Sequence, residues 1–322
     1  MRQTFARFLY GDATLSLRVK ISKHNVMKHT PMQWLVATRP WSFTASIMPV
    51  VVTLAYLNWL QYDIDWLNGL WAVVNITFFH AAGNTWSDYF DYKRSVDAKD
   101  TYGVRILTDG MFTPTEIYRF SVTLIAVAVV GGMLLMLRTG WPLLLIGLGG
   151  AVCSLLYPTF KYNALGEVAI FAAYAFLPAI GTSYVAVGQI DWSVAIVGIP
   201  VGLITVAILH ANNTRDIRTD ARARIRTVAM AVGHRMSKVL YAAEVLLPFV
   251  IIPCLVIGGT LPAWTMLILP ALLPAIGNVQ IIRRSRADDA STIAVLDEMT
   301  AKLQFMFSAL LTVSLFVAAW IA

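Results

Sequence analysis

Apolar residues run along this chain in long, nearly unbroken stretches, separated by short polar connections. The runs lack the strict alternation of a half-buried strand. They also lack the one-sided stripe of a helix lying on a water-soluble core. They are apolar all round and about as long as a bilayer is thick, which at 1.5 Å per residue takes about 20 residues. Nine spans are expected, near 42–60, 67–87, 119–138, 141–158, 166–187, 192–213, 237–258, 262–282 and 303–321. The Gly and Pro residues inside several of them are tolerable where neighbouring helices re-satisfy the backbone. The pattern therefore predicts an all-α membrane protein. Composition agrees: 58% of the 322 residues are hydrophobic and 13% charged, more apolar than a soluble domain of this size requires.

The net charge of +7 raises the question of nucleic acid, and its distribution argues against it. With the N-terminus placed inside, nearly every Lys and Arg falls on one side of the membrane, and only Arg138 falls on the other, as the positive-inside rule requires. Residues 1–33 read as a basic cytosolic or interfacial arm, and 34–322 as one membrane domain. The long polar connections, 88–118, 214–236 and 283–302, all lie inside, so functional surface is expected on that face. Cys153 and Cys254 fall within spans and read as small buried apolar residues with no disulfide.

Two acidic segments break the pattern. Asn84-Thr-Trp-Ser-Asp88-Tyr-Phe-Asp91, running on to Asp97, ends the second span, and Asn212-Asn-Thr-Arg-Asp216-Ile-Arg-Thr-Asp220 ends the sixth. On a helix, Asn84, Asp88 and Asp91 share a face, with His80 a turn further in, and Asn212, Asp216 and Asp220 form a second column. Carboxylates beside hydrocarbon are costly unless something neutralises them. Two facing columns of amide and carboxylate oxygens make a hard-oxygen cage of the kind that holds magnesium against a diphosphate. Both columns fall on the inside in a topology set by basic residues alone. Their spacing, four spans apart, suggests a duplicated four-helix unit.

Basic residues accompany both segments. Positive-inside bias explains most of them, but a diphosphate needs cations beyond the metal. Lys93, Arg105, Arg215, Arg222 and Arg226 are the candidates, with Arg105 and Arg226 preferred, since guanidinium forks fit phosphate oxygens. Nearby aromatics, Trp86, Tyr89, Phe90, Tyr92, Tyr157, Phe160 and Tyr162, read either as an interfacial belt or as a π-rich wall for a cationic intermediate. His80 and His210 read as satisfied interior histidines. Tyr157, Lys161 and Glu167 are candidates for an acceptor or cation pocket.

At these residues the chain resembles the UbiA superfamily of intramembrane prenyltransferases, most closely the branch that prenylates 1,4-dihydroxy-2-naphthoate for menaquinone. The resemblance runs from about Trp34 to the C-terminus. It rests on Arg39-Pro40, on Asn84…Ser87-Asp-Tyr-Phe-Asp-Tyr-Lys…Asp97, and on Arg105-Ile-Leu-Thr-Asp-Gly110. It continues with Tyr157-Pro…Lys161-Tyr-Asn-Ala-Leu-Gly-Glu167, with the second aspartate motif through Arg226-Thr227, and with Thr300-Ala-Lys302. Ser87 stands where the family usually has Asn. Arg224-Ile225-Arg226-Thr227 replaces its usual Gly-Lys-Arg-Thr, and Tyr102-Gly-Val precedes Arg105.

The resemblance implies nine helices around a central cavity open to the cytoplasm and laterally to lipid. It also implies magnesium-dependent transfer of a polyprenyl group from its diphosphate to an aromatic acceptor. Asp88, Asp91, Asp216 and Asp220 would carry the catalysis, holding the ions together with Asn84 and with Asp97 and Asn212 as further ligands. Membrane lipid is the expected surrounding, a bacterial cytoplasmic membrane the expected location, and no nucleic acid is expected. Two alternatives stand beside this. One is the same enzyme class with 4-hydroxybenzoate, a haem or a glyceryl phosphate lipid as acceptor. The other is a cation-coupled secondary transporter, disfavoured because transporter ion sites sit near the midplane at broken helices.

Overall fold

The computed structural model describes residues 29–96, 101–103 and 105–321. Asp97, and all of the basic arm expected over residues 1–33 except its last five positions, lie outside them. Leu35–Ala322 forms one compact unit.

Helices make up the described chain, and no strand forms among the described residues beyond two isolated bridges. In order they are α1 (Pro31–Ala37), α2 (Thr44–Trp59), α3 (Trp66–Lys93), α4 (Pro114–Thr139), α5 (Pro142–Leu155), α6 (Tyr157–Tyr162), α7 (Gly166–Phe171), α8 (Leu177–Val187), α9 (Ser193–Arg215), α10 (Ile217–Arg222), α11 (Val228–Leu246), α12 (Pro248–Ile257), α13 (Leu272–Arg284) and α14 (Leu296–Ile321). Among the described residues, seven stretches are helical, long and apolar enough to cross a bilayer. Two of the nine expected spans fall short of that. α3 is diluted by Asn68, Asn75, His80 and Asn84. α5 has 14 residues, about 21 Å of helix against a core of about 30 Å.

Local sequence accounts for the helix starts. Asp65 accepts from the Asn68 N–H at 3.0 Å to cap α3. Thr113 and Glu116 form a reciprocal capping box on α4, with Pro114 at its first position. Gly233 leaves the helical conformation inside α11 (φ 79°, ψ 156°), so the straight part of that span begins after it, close to the expected residue 237.

Packing is close where residues are small, as it must be when lipid removes the hydrophobic drive between helices. A π-helical turn, Ala172–Phe176, joins α7 to α8. Gly202 of α9 lies against it so tightly that a Cβ there would come 2.3 Å from the Ala175 Cβ. α9 and α11 are tied by His210, whose ring nitrogens meet Glu244 at 2.9 Å and Ser237 at 2.8 Å. Tyr241 joins α11 to Thr300 of α14 at 2.6 Å. The outer surface is correspondingly apolar: Ile257 and Trp320 are 87% and 88% exposed, which suits lipid and would be untenable in water. Cys254 faces outward there and Cys153 is half-buried, both free, so the expectation of two buried cysteines is corrected. A bundle in hydrocarbon exposes small apolar side chains at no cost.

The two ends of the bundle differ. At one, Arg138 donates to Asn68 Oδ1 at 2.7 Å and Asp65 Oδ2 at 3.1 Å, and Tyr62 donates to Asp191 at 3.0 Å. The one basic residue expected outside is thus used to tie α3 to α4. At the other end both acidic segments come together.

Each acidic segment closes with the same device. The carbonyl of Asp91 accepts the Val96 N–H at 2.9 Å and that of Tyr92 accepts Ser95 N–H at 3.1 Å. Likewise Asp220 accepts from Ile225 at 3.3 Å and Ala221 from Arg224 at 3.2 Å. These are two Schellman caps with Asp91 and Asp220 in the same position. The left-handed residues are Ser95 (φ 55°) and Arg224 (φ 56°), where glycine would be the default, at a cost of about 1 kcal/mol each. Val96 and Ile225, the apolar residues such caps call for, pack on Tyr162 in one buried cluster.

Candidate functional site

α6 lies between the two tips. The Arg226 backbone N–H donates to the Tyr162 carbonyl at 3.0 Å, which zips the second acidic loop onto α6. The first tip grips α6 through side chains: Tyr162 donates its hydroxyl to Asp91 Oδ1 at 2.6 Å, and Lys161 Nζ lies 3.0 Å from Asp91 Oδ2. Lys161 also feels Asp220, and Asp220 feels Asp91 and Asp216. Asp91 and Asp220, one from each segment, therefore lie within electrostatic reach of each other and of Lys161, and Asp88, Asp91 and Asp220 are each buried. Burial pulls the Lys161 ammonium down, but the charge of Asp91 outweighs it and its pKa lies well above the ordinary lysine value. Burial pushes the Asp220 carboxyl up to about 7, opposed by Lys161 and reinforced by Asp216 and Asp91. Burial and then Asp91 likewise raise the Tyr162 hydroxyl.

The first column is oriented from the connection between α1 and α2. Arg39 donates to Asp88 Oδ1. Its backbone is left-handed (φ 55°, ψ 59°), and its carbonyl accepts from the Ser42 hydroxyl at 2.8 Å. Asn84 donates its amide to the Thr38 carbonyl at 2.9 Å and to Ser42 at 3.0 Å, which leaves its carbonyl oxygen at the other end of the group. His80 stands one turn further in, held by Ser42 at 3.2 Å and Ser46 at 2.9 Å, with the Tyr174 ring 4.9 Å away. It is the satisfied interior histidine expected, as is His210.

The second column is organised differently. Arg215 binds its own neighbour Asp216 through both oxygens, at 2.9 and 2.7 Å, and reaches Asp297 of α14 at 3.2 Å. Asn212 is half-buried one turn before Asp216. Asn213 is buried and donates to Glu167 Oε1 at 2.9 Å. The second oxygens of Glu167 and of Asp220 are buried with no hydrogen-bond partner. Orphaned carboxylate oxygens in a buried site are expensive, and a hard divalent cation is the species such oxygens suit. Among the described residues no three His, Cys, Asp or Glu side chains already converge on one metal-sized point. The donor set thus fits magnesium in kind, with Lys161 supplying positive charge among the carboxylates.

The basic candidates disperse. Lys93 is exposed over the Tyr89 ring at 4.8 Å. Arg105 donates to the Thr101 carbonyl at 3.2 Å and lies 3.4 Å from Asp109. Arg215 is spent on Asp216 and Asp297. Arg226 contributes its backbone while its side chain is exposed. Arg222 is exposed and lines a cavity on the outer side of the tips. The residues sequence reasoning passed over are Arg39 and Asn213. The signal for Arg39 was a cation followed by proline at the mouth of an apolar span. For Asn213 it was a second amide inside a span, at a buried position.

An aromatic group, Trp86, Tyr89, Phe90 and Tyr118, flanks α3 with ring centroids 5.0 to 6.0 Å apart. Trp86 also donates to the Leu155 carbonyl at 3.1 Å, which holds this wall against the end of α5.

Comparison with known proteins bears on the fold and the family. The chain is 32% identical over 320 residues to the UbiA prenyltransferase domain-containing protein 1 homolog of Drosophila melanogaster, covering 96% of this chain and 87% of that protein. It is 33% identical to the human UbiA prenyltransferase domain-containing protein 1, covering 85% and 80%. Its fold is similar to that of a digeranylgeranylglyceryl phosphate synthase (TM-score 0.60, 19% identity, 89% of this chain and 98% of that one). It is also similar to a UbiA homolog from Archaeoglobus fulgidus bound to GPP and Mg2+ (TM-score 0.58, 13% identity, 89% and 99%). The UbiA prenyltransferase family matches residues 46–311, and the chain belongs to that family: it is an integral membrane prenyltransferase.

Proposed function

We propose that this enzyme transfers a polyprenyl group from its diphosphate, with magnesium, to an aromatic acceptor of the 1,4-dihydroxy-2-naphthoate kind. The observation that carries the reading is the meeting of Asp91 and Asp220, from two separate helix tips, around Lys161, with a buried Asp220 oxygen left without a partner. Asn84, Asp88, Asp91, Asp216 and Asp220 are the residues that would hold magnesium, with Asn212 and Asp97 as further ligands. Magnesium, when bound, neutralises the diphosphate and makes it a better leaving group.

The protein's own part is positioning and exclusion of water. Arg39 fixes Asp88, while Tyr162 and Lys161 fix Asp91. The first column is therefore oriented before substrate arrives. Lys161, beside Asp91 and within reach of Asp220, is the cation placed to meet the diphosphate. Apolar and aromatic walls keep water from the allylic cation, and the isoprenoid tail has its natural solvent in the bilayer. Glu167, held by Asn213, is placed to orient an acceptor hydroxyl. With dihydroxynaphthoate the prenyl group takes the place of the departing carboxylate.

The structural neighbour that is a digeranylgeranylglyceryl phosphate synthase favours a second reading, a glyceryl phosphate acceptor. The relatives named above are animal proteins and lend no support to a bacterial membrane. The test is an assay of purified protein with geranyl diphosphate and longer donors against each acceptor, with magnesium or with EDTA. Prenylated naphthoquinol formed only with magnesium supports the proposal. Turnover with glyceryl phosphate alone, or equal turnover in EDTA, overturns it.

A further inference from the structure

A further set of ionisable groups is gathered around α9. His210 is fully buried, with its ring nitrogens against Glu244 and Ser237, and both it and Glu244 lie within electrostatic reach of Glu167. Counting hydrogens assigns the charge of the ring. Thr214 donates its one hydroxyl hydrogen to the His210 carbonyl at 2.8 Å, so in its contact with Ser237 the serine is the donor. That uses the only hydroxyl hydrogen of Ser237, so the 2.8 Å contact between Ser237 and Nε2 needs a hydrogen on the nitrogen. Nδ1 in turn donates to Glu244 Oε1. With hydrogens on both nitrogens, His210 is an imidazolium in the company of two carboxylates. We propose that Glu167 is the base that takes the proton of the acceptor's hydroxyl, with His210 and Glu244 as positioning residues behind it; this rests on the prenyl-transfer reading above and deepens it.

Three observations point there. First, Asn213 donates to Glu167 Oε1, which fixes the carboxylate and leaves Oε2, buried and without a hydrogen-bond partner among the described residues, for one more donor. Second, Glu167 is a near neighbour of the cage. The chain at Gly166 packs so closely on α6 that a Cβ there would stand 3.3 Å from the Lys161 Cα, and Tyr157 lies within electrostatic reach of Glu167 as well as of Asp91 and Lys161. Third, the charges leave room for one proton. Two carboxylates and one imidazolium sum to −1, and a proton on Glu167 brings the group to neutrality, the state that burial favours. The reaction supplies that proton. The ring π pair beside the hydroxyl forms the new bond to the allylic carbon, and the allylic C–O pair leaves with the diphosphate. The O–H proton passes to Glu167 Oε2, and its electron pair closes a C=O. When carbon dioxide then departs from the same ring carbon, its C–C pair returns to the ring and the oxygen takes the proton back from Glu167. The base is thereby regenerated in each turnover.

The experiment uses the full-length protein in neutral detergent, with magnesium, geranyl diphosphate and 1,4-dihydroxy-2-naphthoate. Which acceptor the wild type prenylates tests the reading above; how Glu167→Gln compares with the wild type on that same acceptor tests this one. In E167Q, kcat should fall about a hundredfold or more, the usual scale of general-base catalysis, while an unreactive thio-analogue of geranyl diphosphate binds as it does to the wild type. Raising the pH from neutral should speed E167Q, relative to the wild type, by about tenfold per unit, because a hydroxyl already ionised in water no longer needs the base. Glu244→Gln keeps an oxygen for His210 Nδ1 but leaves the imidazolium charge to Glu167 alone, which makes that carboxylate a weaker base. Its kcat should fall about tenfold with KM for both substrates unchanged. Wild-type kcat in E167Q, or a loss that no rise in pH recovers, overturns the proposal, and wild-type kcat in E244Q overturns the part given to the positioning pair.

Discussion

Replacing Lys161 with methionine tests the carboxylate cluster most directly, because it removes one charge and little volume. In the protein the Lys161 and Asp91 side chains are 16% and 9% exposed, with nitrogen and oxygen 3.0 Å apart. Breaking a buried pair by deleting one partner costs roughly 3–5 kcal/mol, since the remaining charge stays buried. Two features bound the loss here. Asp91 keeps the Tyr162 hydroxyl at 2.6 Å. A stranded carboxylate can also take up a proton, which at pH 7 costs an ordinary one about 4 kcal/mol. The expected destabilisation is therefore about 3–4 kcal/mol without metal. At about 2 °C per kcal/mol for a chain of this size, Tm should fall roughly 6–8 °C. A divalent cation among the carboxylates replaces the missing charge, so saturating magnesium should recover most of the difference while turnover stays lost. The assay is a thermal-shift comparison of wild type and K161M in EDTA and in magnesium, on protein in the same detergent. An equal loss under both conditions, or none in EDTA, would refute the shared-site argument.

Asp88→Ala and Asp216→Ala should each abolish diphosphate release while the protein still inserts and elutes as a single species; wild-type rates in either would count against the cage. Gly202→Ala should destabilise by about 1–3 kcal/mol, because its Cβ would lie 2.3 Å from that of Ala175. Pairing it with Ala175→Gly should recover part of the loss, the Phe171 ring at 2.9 Å accounting for the rest; no recovery at all would show that the contact with Ala175 is not the cause. Arg138→Ala, at the opposite end of the bundle, should leave turnover unchanged and cost about 1–3 kcal/mol, since the buried Asn68 Oδ1 loses its donor while the exposed Asp65 pair adds little. A large loss of activity there would mean the site is not confined to one face.

Along the chain, hydrophobic runs, caps and the positions of basic residues decide secondary structure and orientation through interactions only a few residues long. The helical bundle was therefore legible from residue order, and so was the placing of two acidic segments at one end of it. So was the prenyltransferase family, from Asn84 through Asp220. The count of nine spans was less secure, because α3 trades apolar surface for Asn68, Asn75, His80 and Asn84. Which cation meets which carboxylate was not legible at all. Arg39 reaches Asp88 across 49 positions, and Lys161 and Tyr162 reach Asp91 across 70 and 71. Arg215, expected on a phosphate, turns to the carboxylate beside it and to Asp297. Charges close to one another in sequence look equivalent as a string. Only the folded chain, by burying some carboxylates and opening others to water, makes one pairing cheaper than the rest.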